Sequence, residues 1–131
     1  MKLVSCTPEY WEFVRVLRTD PRTSTGFIQQ VQISKEQQHK YMTEHAHEYF
    51  VALADGQPVG FVGCVDNDIR VCTHPDFQGR GIGSLMVREL AKLVPNCVAK
   101  VKANNQAGNA LFRSLGYVPT FTIYERPKQG C

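Results

Sequence analysis

Short apolar runs and amphipathic faces succeed one another along this chain, and their order predicts a mixed α/β domain. Lys2 to Cys6 reads as a first strand. Thr7 then stands as an N-cap with Pro8 at the first helical position, and Tyr10, Phe13, Val14 and Leu17 share one face of a helix from Glu9 to Arg18. Thr19 to Gly26 (TDPRTSTG) is rich in turn residues and reads as loop, Phe27 to Ile33 is ambiguous, and Ser34 caps a second helix from Lys35 to about His45.

Two apolar strands follow, Tyr49 to Ala54 and Val59 to Val65, on either side of Asp55-Gly56, a strong hairpin signal. Asp66-Asn67-Asp68 makes a second tight turn into a short strand, Ile69 to Thr73, so this part of the chain is an antiparallel meander. A Pro-Asp turn and a glycine-rich loop lead into a helix with Ile82, Leu85, Met86, Leu90 and Leu93 on one face and Arg88, Glu89 and Lys92 on the other. The pattern ends with a short strand (Cys97 to Lys102), a helix opened by Asn105, a strand pair from Tyr117 to Tyr124, and a loose tail from Arg126 to Cys131. Neither repeat nor low-complexity block interrupts it.

A strand, a glycine loop and a helix in succession make an anion site. The first turn of a helix carries backbone N–H groups without intrahelical partners, and the helix dipole places partial positive charge there. Gly79, Gly81 and Gly83 remove the Cβ atoms that would hold an anion away, and Arg80 adds a full charge. The spacing excludes a P-loop, since no G-x-x-x-x-G-K-[ST] run exists. It also departs from the dinucleotide fingerprint G-x-G-x-x-G, and Ala103 to Asn105 offers no carboxylate at the required distance.

Gln78-Gly79-Arg80-Gly81-Ile82-Gly83 does fit [QR]-x-x-G-x-[GA], and Asn105 to Tyr117 (NQAGNALFRSLGY) looks like N-x-x-A-x-x-L-[YF]-x-x-x-G-[FY], with Gly108 in the place of the alanine. On these two motifs, in this order and at this distance, the C-terminal half of the chain resembles the GNAT superfamily of acyl-coenzyme A N-acetyltransferases. The resemblance implies a single GNAT-like domain over residues 1–131, a mostly antiparallel mixed sheet with helices on both faces, and acetyl-CoA as cosubstrate. By position it implies that Val71 and Thr73 pair with the pantetheine arm through their backbone. It likewise implies that Gln78, Gly79, Arg80, Gly81, Ile82, Gly83 and Ser84 hold the pyrophosphate, and that Asn105, Asn109 and Phe112 line the arm from the next helix.

The chain departs from the family pattern at two places that carry chemistry. Phe112 stands where many members have a tyrosine acid, and Asn67 stands where a carboxylate base is frequent, with Asp66 and Asp68 beside it as candidates acting through a water. A thiol with a pKa near 8.5 leaves as an unassisted thiolate at a cost of about 2 kcal/mol at neutral pH, so the missing acid slows transfer without forbidding it. The missing base favours a weakly basic amine, because an α-amine is deprotonated at neutral pH for about 1 kcal/mol and a lysine for about 4 to 5 kcal/mol. The expected function is acetyl transfer to the primary amine of a small acceptor, such as an amino sugar or amino-acid derivative. The alternatives are a coenzyme A-binding module without catalysis and a protein N-terminal or lysine acetyltransferase. Ile33 to His39 (ISKEQQH) is faintly similar to members acting on amino sugars carried by nucleotides.

Composition narrows the remaining classes. A net charge of +3 suits an anionic ligand, but no basic run or aromatic ladder suggests nucleic acid. No apolar run approaches the roughly 20 residues that span a membrane, and the start is too polar for a signal peptide, so a cytoplasmic protein is expected, as monomer or homodimer. His39, His45 and His47 lie near Glu44 and Glu48 but in no metal-binding spacing, so no metal is expected. The five cysteines, Cys6, Cys64, Cys72, Cys97 and Cys131, form no C-x-x-C pair and are expected to be reduced, buried thiols.

Overall fold

The computed structural model describes residues 1–24 and 32–127. Among the described residues four strands form one antiparallel sheet in sequential order, β1 (Lys2–Ser5), β2 (Tyr49–Ala54), β3 (Gln57–Val65) and β4 (Asp68–Thr73). Both hairpins are closed by two residues with left-handed backbone, Asp55-Gly56 (φ 51° and 78°) and Asp66-Asn67 (φ 53° and 63°). That conformation matches the natural twist of paired strands, and Asp, Asn and Gly tolerate it best. The ladder slips once: Ala52 pairs with Gly60 and Leu53 with Pro58, which leaves Val59 as the extra residue of a bulge.

Helices cover both faces, as expected. On one face α1 (Trp11–Thr19) and α3 (Lys35–His45) set Val14, Leu17 and Met42 against Tyr49, Val51, Phe61 and Cys72. On the other, α4 (Ile82–Leu93) and α5 (Gln106–Ser114) set Ile82, Met86, Leu90 and Phe112 against Val62 and Ile69. The predicted inward face of α4 is rotated by part of a turn: Val87 is fully buried, whereas Leu85 is 39% and Leu93 61% exposed.

The N-terminal reading is corrected in detail. Pro8–Tyr10 form a 3₁₀ turn before α1, and the Thr7 hydroxyl donates to Glu9 Oε1 rather than capping the backbone. A short helix, α2 (Pro21–Ser24), occupies part of the expected loop. Ser34 does cap α3, in a reciprocal box with Gln37. The ambiguous stretch Phe27 to Ile33 lies largely outside the described residues.

Three larger expectations fail. The strand expected over Cys97 to Lys102 is reduced to one parallel bridge, Asp68 to Val98. The pair expected from Tyr117 to Tyr124 does not form; this stretch pairs with nothing in the sheet, and Phe121 and Tyr124 are 92% and 91% exposed. Strand-forming side chains make a strand only where a neighbouring edge accepts their backbone. Finally, Cys64 and Cys97 are joined as a disulfide, their Cα atoms 6.4 Å apart, instead of standing as free thiols. The fold brings the end of β3 beside the start of the 97–102 segment, an adjacency that no spacing along the chain announces.

Candidate active site

The bridge at Val98 defines the site. Ile69 N–H donates to the Val98 carbonyl and Val98 N–H to the Asn67 carbonyl, both at 2.8 Å, and beyond this point β4 and the 98–102 segment separate. In an antiparallel strand the backbone groups of alternate residues point to the same edge, so Val71 and Thr73, in phase with Ile69, turn theirs toward the opening. The Thr73 carbonyl receives the Gln78 side-chain amide at 3.3 Å. Around this edge a cleft of about 820 Å³ passes between the strands from the α4 and α5 side to the α1 side.

At one end of the cleft lies the glycine loop. Gly81 is the N-cap of α4 at φ 77°, no side chain caps the helix, and nothing stands within 4 Å of the position a Cβ would take at Gly79 or Gly81. The first N–H groups of the helix therefore face open space, which is the arrangement an anion needs. Gln78, Gly79, Gly81, Ile82, Gly83 and Ser84 line this end. Arg80 is not in the lining; its guanidinium stacks on Phe77, 5.2 Å from the ring centroid.

On the α5 side, Asn105 lines the cleft while its Oδ1 caps the helix by accepting Gly108 N–H at 3.0 Å. Asn109 is turned away: its amide donates to the carbonyls of Lys102 and Asn105 and holds the turn before α5. Phe112 reaches the cleft with its ring edge-on to Tyr117, 5.3 Å between centroids.

At the α1 end, the two candidate aspartates part company. Asp66 is an exposed turn residue, whereas Asp68 lines the cleft, its Oδ1 buried without a hydrogen-bond partner and its Oδ2 3.5 Å from Arg70 Nε. Arg18, Arg22, Arg70, Cys72 and Tyr49 complete this end. Tyr49 is buried, and its hydroxyl lies 2.8 Å from that of Tyr41. Burial, then the Tyr41 hydroxyl, push its phenol well above the usual range, against the pull of Arg18 and Arg70. None of Arg18, Arg70 and Tyr49 was singled out in the sequence; only the register of β2, β3 and β4 and the seat of α1 bring them together. A shallower groove of about 570 Å³, between α1 and the start of β3, carries Glu12 and His74 but no free strand edge.

The histidines have other uses: His39 meets Trp11 edge-on, and His45 Nδ1 lies 2.7 Å from Glu48. Among the described residues no cluster of His, Cys, Asp and Glu is placed to hold a metal, and no helix is long and apolar enough to cross a membrane.

Residues 45–119 match the acetyltransferase (GNAT) domain family. One curated relative, the L-amino acid N-acyltransferase MnaT of Escherichia coli, is 36% identical over 66 residues, which are 47% of this chain and 37% of the relative. The chain thus matches little more than a third of that protein's length. Among solved structures, spermidine N-acetyltransferase from Vibrio cholerae, in complex with CoA and spermine, superposes with a TM-score of 0.83 at 15% identity, covering 95% of this chain and 85% of its own. Ribosomal-protein-alanine N-acetyltransferase from Brucella melitensis gives 0.76 at 19% identity, covering 88% and 83%. At such identities these two likenesses speak for the fold alone.

Proposed function

The chain belongs to the GNAT acetyltransferase domain family, and from that premise we propose that it moves an acetyl group from acetyl-CoA to the primary amine of a small acceptor. The observation that carries this reading is the unpaired β4 edge, opened by the departing 98–102 segment and ending at the uncapped start of α4. An extended amide-bearing arm needs backbone partners along its length and a seat for its diphosphate, and the two features lie in line. The cleft volume of about 820 Å³ is within the range of small-molecule sites.

Acetyl-CoA supplies an activated acyl carbon when bound. The protein holds and polarises it: the N–H of Val71 or Thr73 is aimed into the opening, where it can donate to a carbonyl oxygen as negative charge develops. Asp68, with one carboxylate oxygen unpartnered, is the acceptor for the proton that the amine loses as its nitrogen bonds to the acyl carbon. The carbon–sulfur bond breaks and the thiolate departs, taking a proton from water, since Phe112 has none to give. Two N–H groups at most are involved, so the rate rests largely on orientation.

Thiol release measured with acetyl-CoA against a library of amines tests the proposal. Release that requires both an amine and acetyl-CoA, with the N-acetyl product seen by mass spectrometry, is the expected result. Coenzyme A binding without release for any amine would overturn it in favour of a binding module.

A further inference from the structure

The acceptor end of the cleft is positively charged beyond what its own residues neutralise. Four cations line the cleft as a whole, Arg18, Arg22 and Arg70 at this end together with Lys100, against one carboxylate, Asp68. Arg22 is engaged outside it, 2.9 Å from Asp20 and 3.9 Å from Asp76. Arg18 stacks on the Tyr41 ring at 5.2 Å, and among the described residues no carboxylate lies within ion-pair distance of it. Arg70 meets Asp68 through its Nε at 3.5 Å, and both residues line the cleft.

Tyr49 joins these two arginines. It pairs with Gly63, which pairs with Arg70, so the three residues form one row across β2, β3 and β4. A Cβ on Gly63 would lie 2.9 Å from Tyr49 Cδ1, so the absence of a side chain there lets the ring lie across β3 toward Arg70. Both Arg18 and Arg70 are near enough to pull on the Tyr49 phenol.

Resting on the acetyl-transfer reading above, we propose that the acceptor carries an acidic group a few bonds from its amine, held by Arg70, Arg18 and the Tyr49 hydroxyl while Asp68 faces the amine. The chemistry favours it on each count. A guanidinium fork and a hydroxyl donor recognise a carboxylate or phosphate, and neither recognises a cation. The 3.5 Å contact between Asp68 and Arg70 places the amine partner and the anion partner side by side, which suits an α-amino acid, whose two groups share one carbon. Polyamines present a second cation where the arginines stand.

The test compares matched acceptors: α-amino acids, their carboxamides and their decarboxylated amines, together with an amino sugar phosphate. With fixed acetyl-CoA, kcat/KM is expected to fall at least 10²-fold from acid to carboxamide or decarboxylated amine. Arg70→Gln should cost the acid at least tenfold more than it costs the decarboxylated amine, mostly in KM, and Arg18→Gln should do the same by a smaller factor without touching the strand. Calorimetric titration of the same acids into protein saturated with coenzyme A should show binding that Arg70→Gln weakens by a similar factor. That readout separates the two failures: binding that Arg70→Gln weakens, with no turnover, would leave the anion site in place and overturn the transfer reading, whereas turnover with no effect of Arg70→Gln would do the reverse. Equal use of acid and decarboxylated amine, or equal losses on both in Arg70→Gln, would overturn the proposal. So would use of the amino sugar phosphate with no use of any amino acid, because its anion lies too far from its amine for adjacent Asp68 and Arg70.

Discussion

Two thiols illustrate how far a side chain departs from its solution chemistry once the fold surrounds it. Burial pushes the Cys6 thiol up to about 11; for Cys72 burial, partly opposed by a hydrogen bond with Thr23, pushes it up to about 12. Unfolded thiols lose their protons near pH 9 while the folded ones keep theirs, so this contribution to stability is intact below pH 9 and is lost as pH rises toward 12. Thermal unfolding midpoints should therefore decline steeply above pH 9, and Cys72→Ala should flatten the decline. Phe112 sets a second residue-scale outcome. Phe112→Tyr, which puts a hydroxyl at the edge of the cleft, should hold or raise kcat, by up to roughly 10²-fold if the geometry suits a proton donor. Single-turnover thiol release at saturating acetyl-CoA measures it, and a large loss with coenzyme A affinity retained would mean that the ring packs against the acceptor.

Gly81 shows how an element becomes a site. It ends the loop with φ 77°, from which α4 departs without a capping side chain, so the free N–H groups of the helix are offered to a ligand. Gly81→Val would force a β-branched residue into left-handed backbone at a cost of about 1–2 kcal/mol and place its side chain in front of those donors. A melting point lowered by several degrees, with coenzyme A affinity reduced at least tenfold by calorimetry, is the expected outcome; unchanged affinity would remove the loop from the binding site. The loop was legible because glycine spacing and an amphipathic helix are local signals. The splayed edge was not, since whether residues 98–102 follow β4 or leave it depends on what α4 and α5 leave room for.

Across the whole molecule, the disulfide between Cys64 and Cys97 ties the segment after α4 to β3, beside the bridge from which the cleft opens. With the two cysteines 33 positions apart in the sequence, loss of the cross-link should destabilise the protein by about 3–4 kcal/mol on loop-entropy grounds. Thiol titration of the denatured chain should find three free thiols without reductant and five with it, the five of the sequence less the bonded pair. Five in both conditions would show the pair to be reduced. A drop in the urea midpoint of Cys64→Ser measures the energetic part.

What the sequence determined by itself was whatever depends on neighbours along the chain: the hairpin turns at Asp55-Gly56 and Asp66-Asn67, the cap at Ser34, the glycine loop with its helix, and through those motifs the family. These are set within a few residues by backbone sterics, capping and periodicity, so the local code suffices. Tertiary structure alone decided which aspartate enters the cleft, that Cys64 meets Cys97, that Tyr117 to Tyr124 finds no strand partner, and that Arg18, Tyr49 and Arg70 converge. Each depends on residues far apart in sequence reaching one place. One step of strand register turns a side chain to the opposite face, and a small rotation of α1 would carry Arg18 out of the cleft.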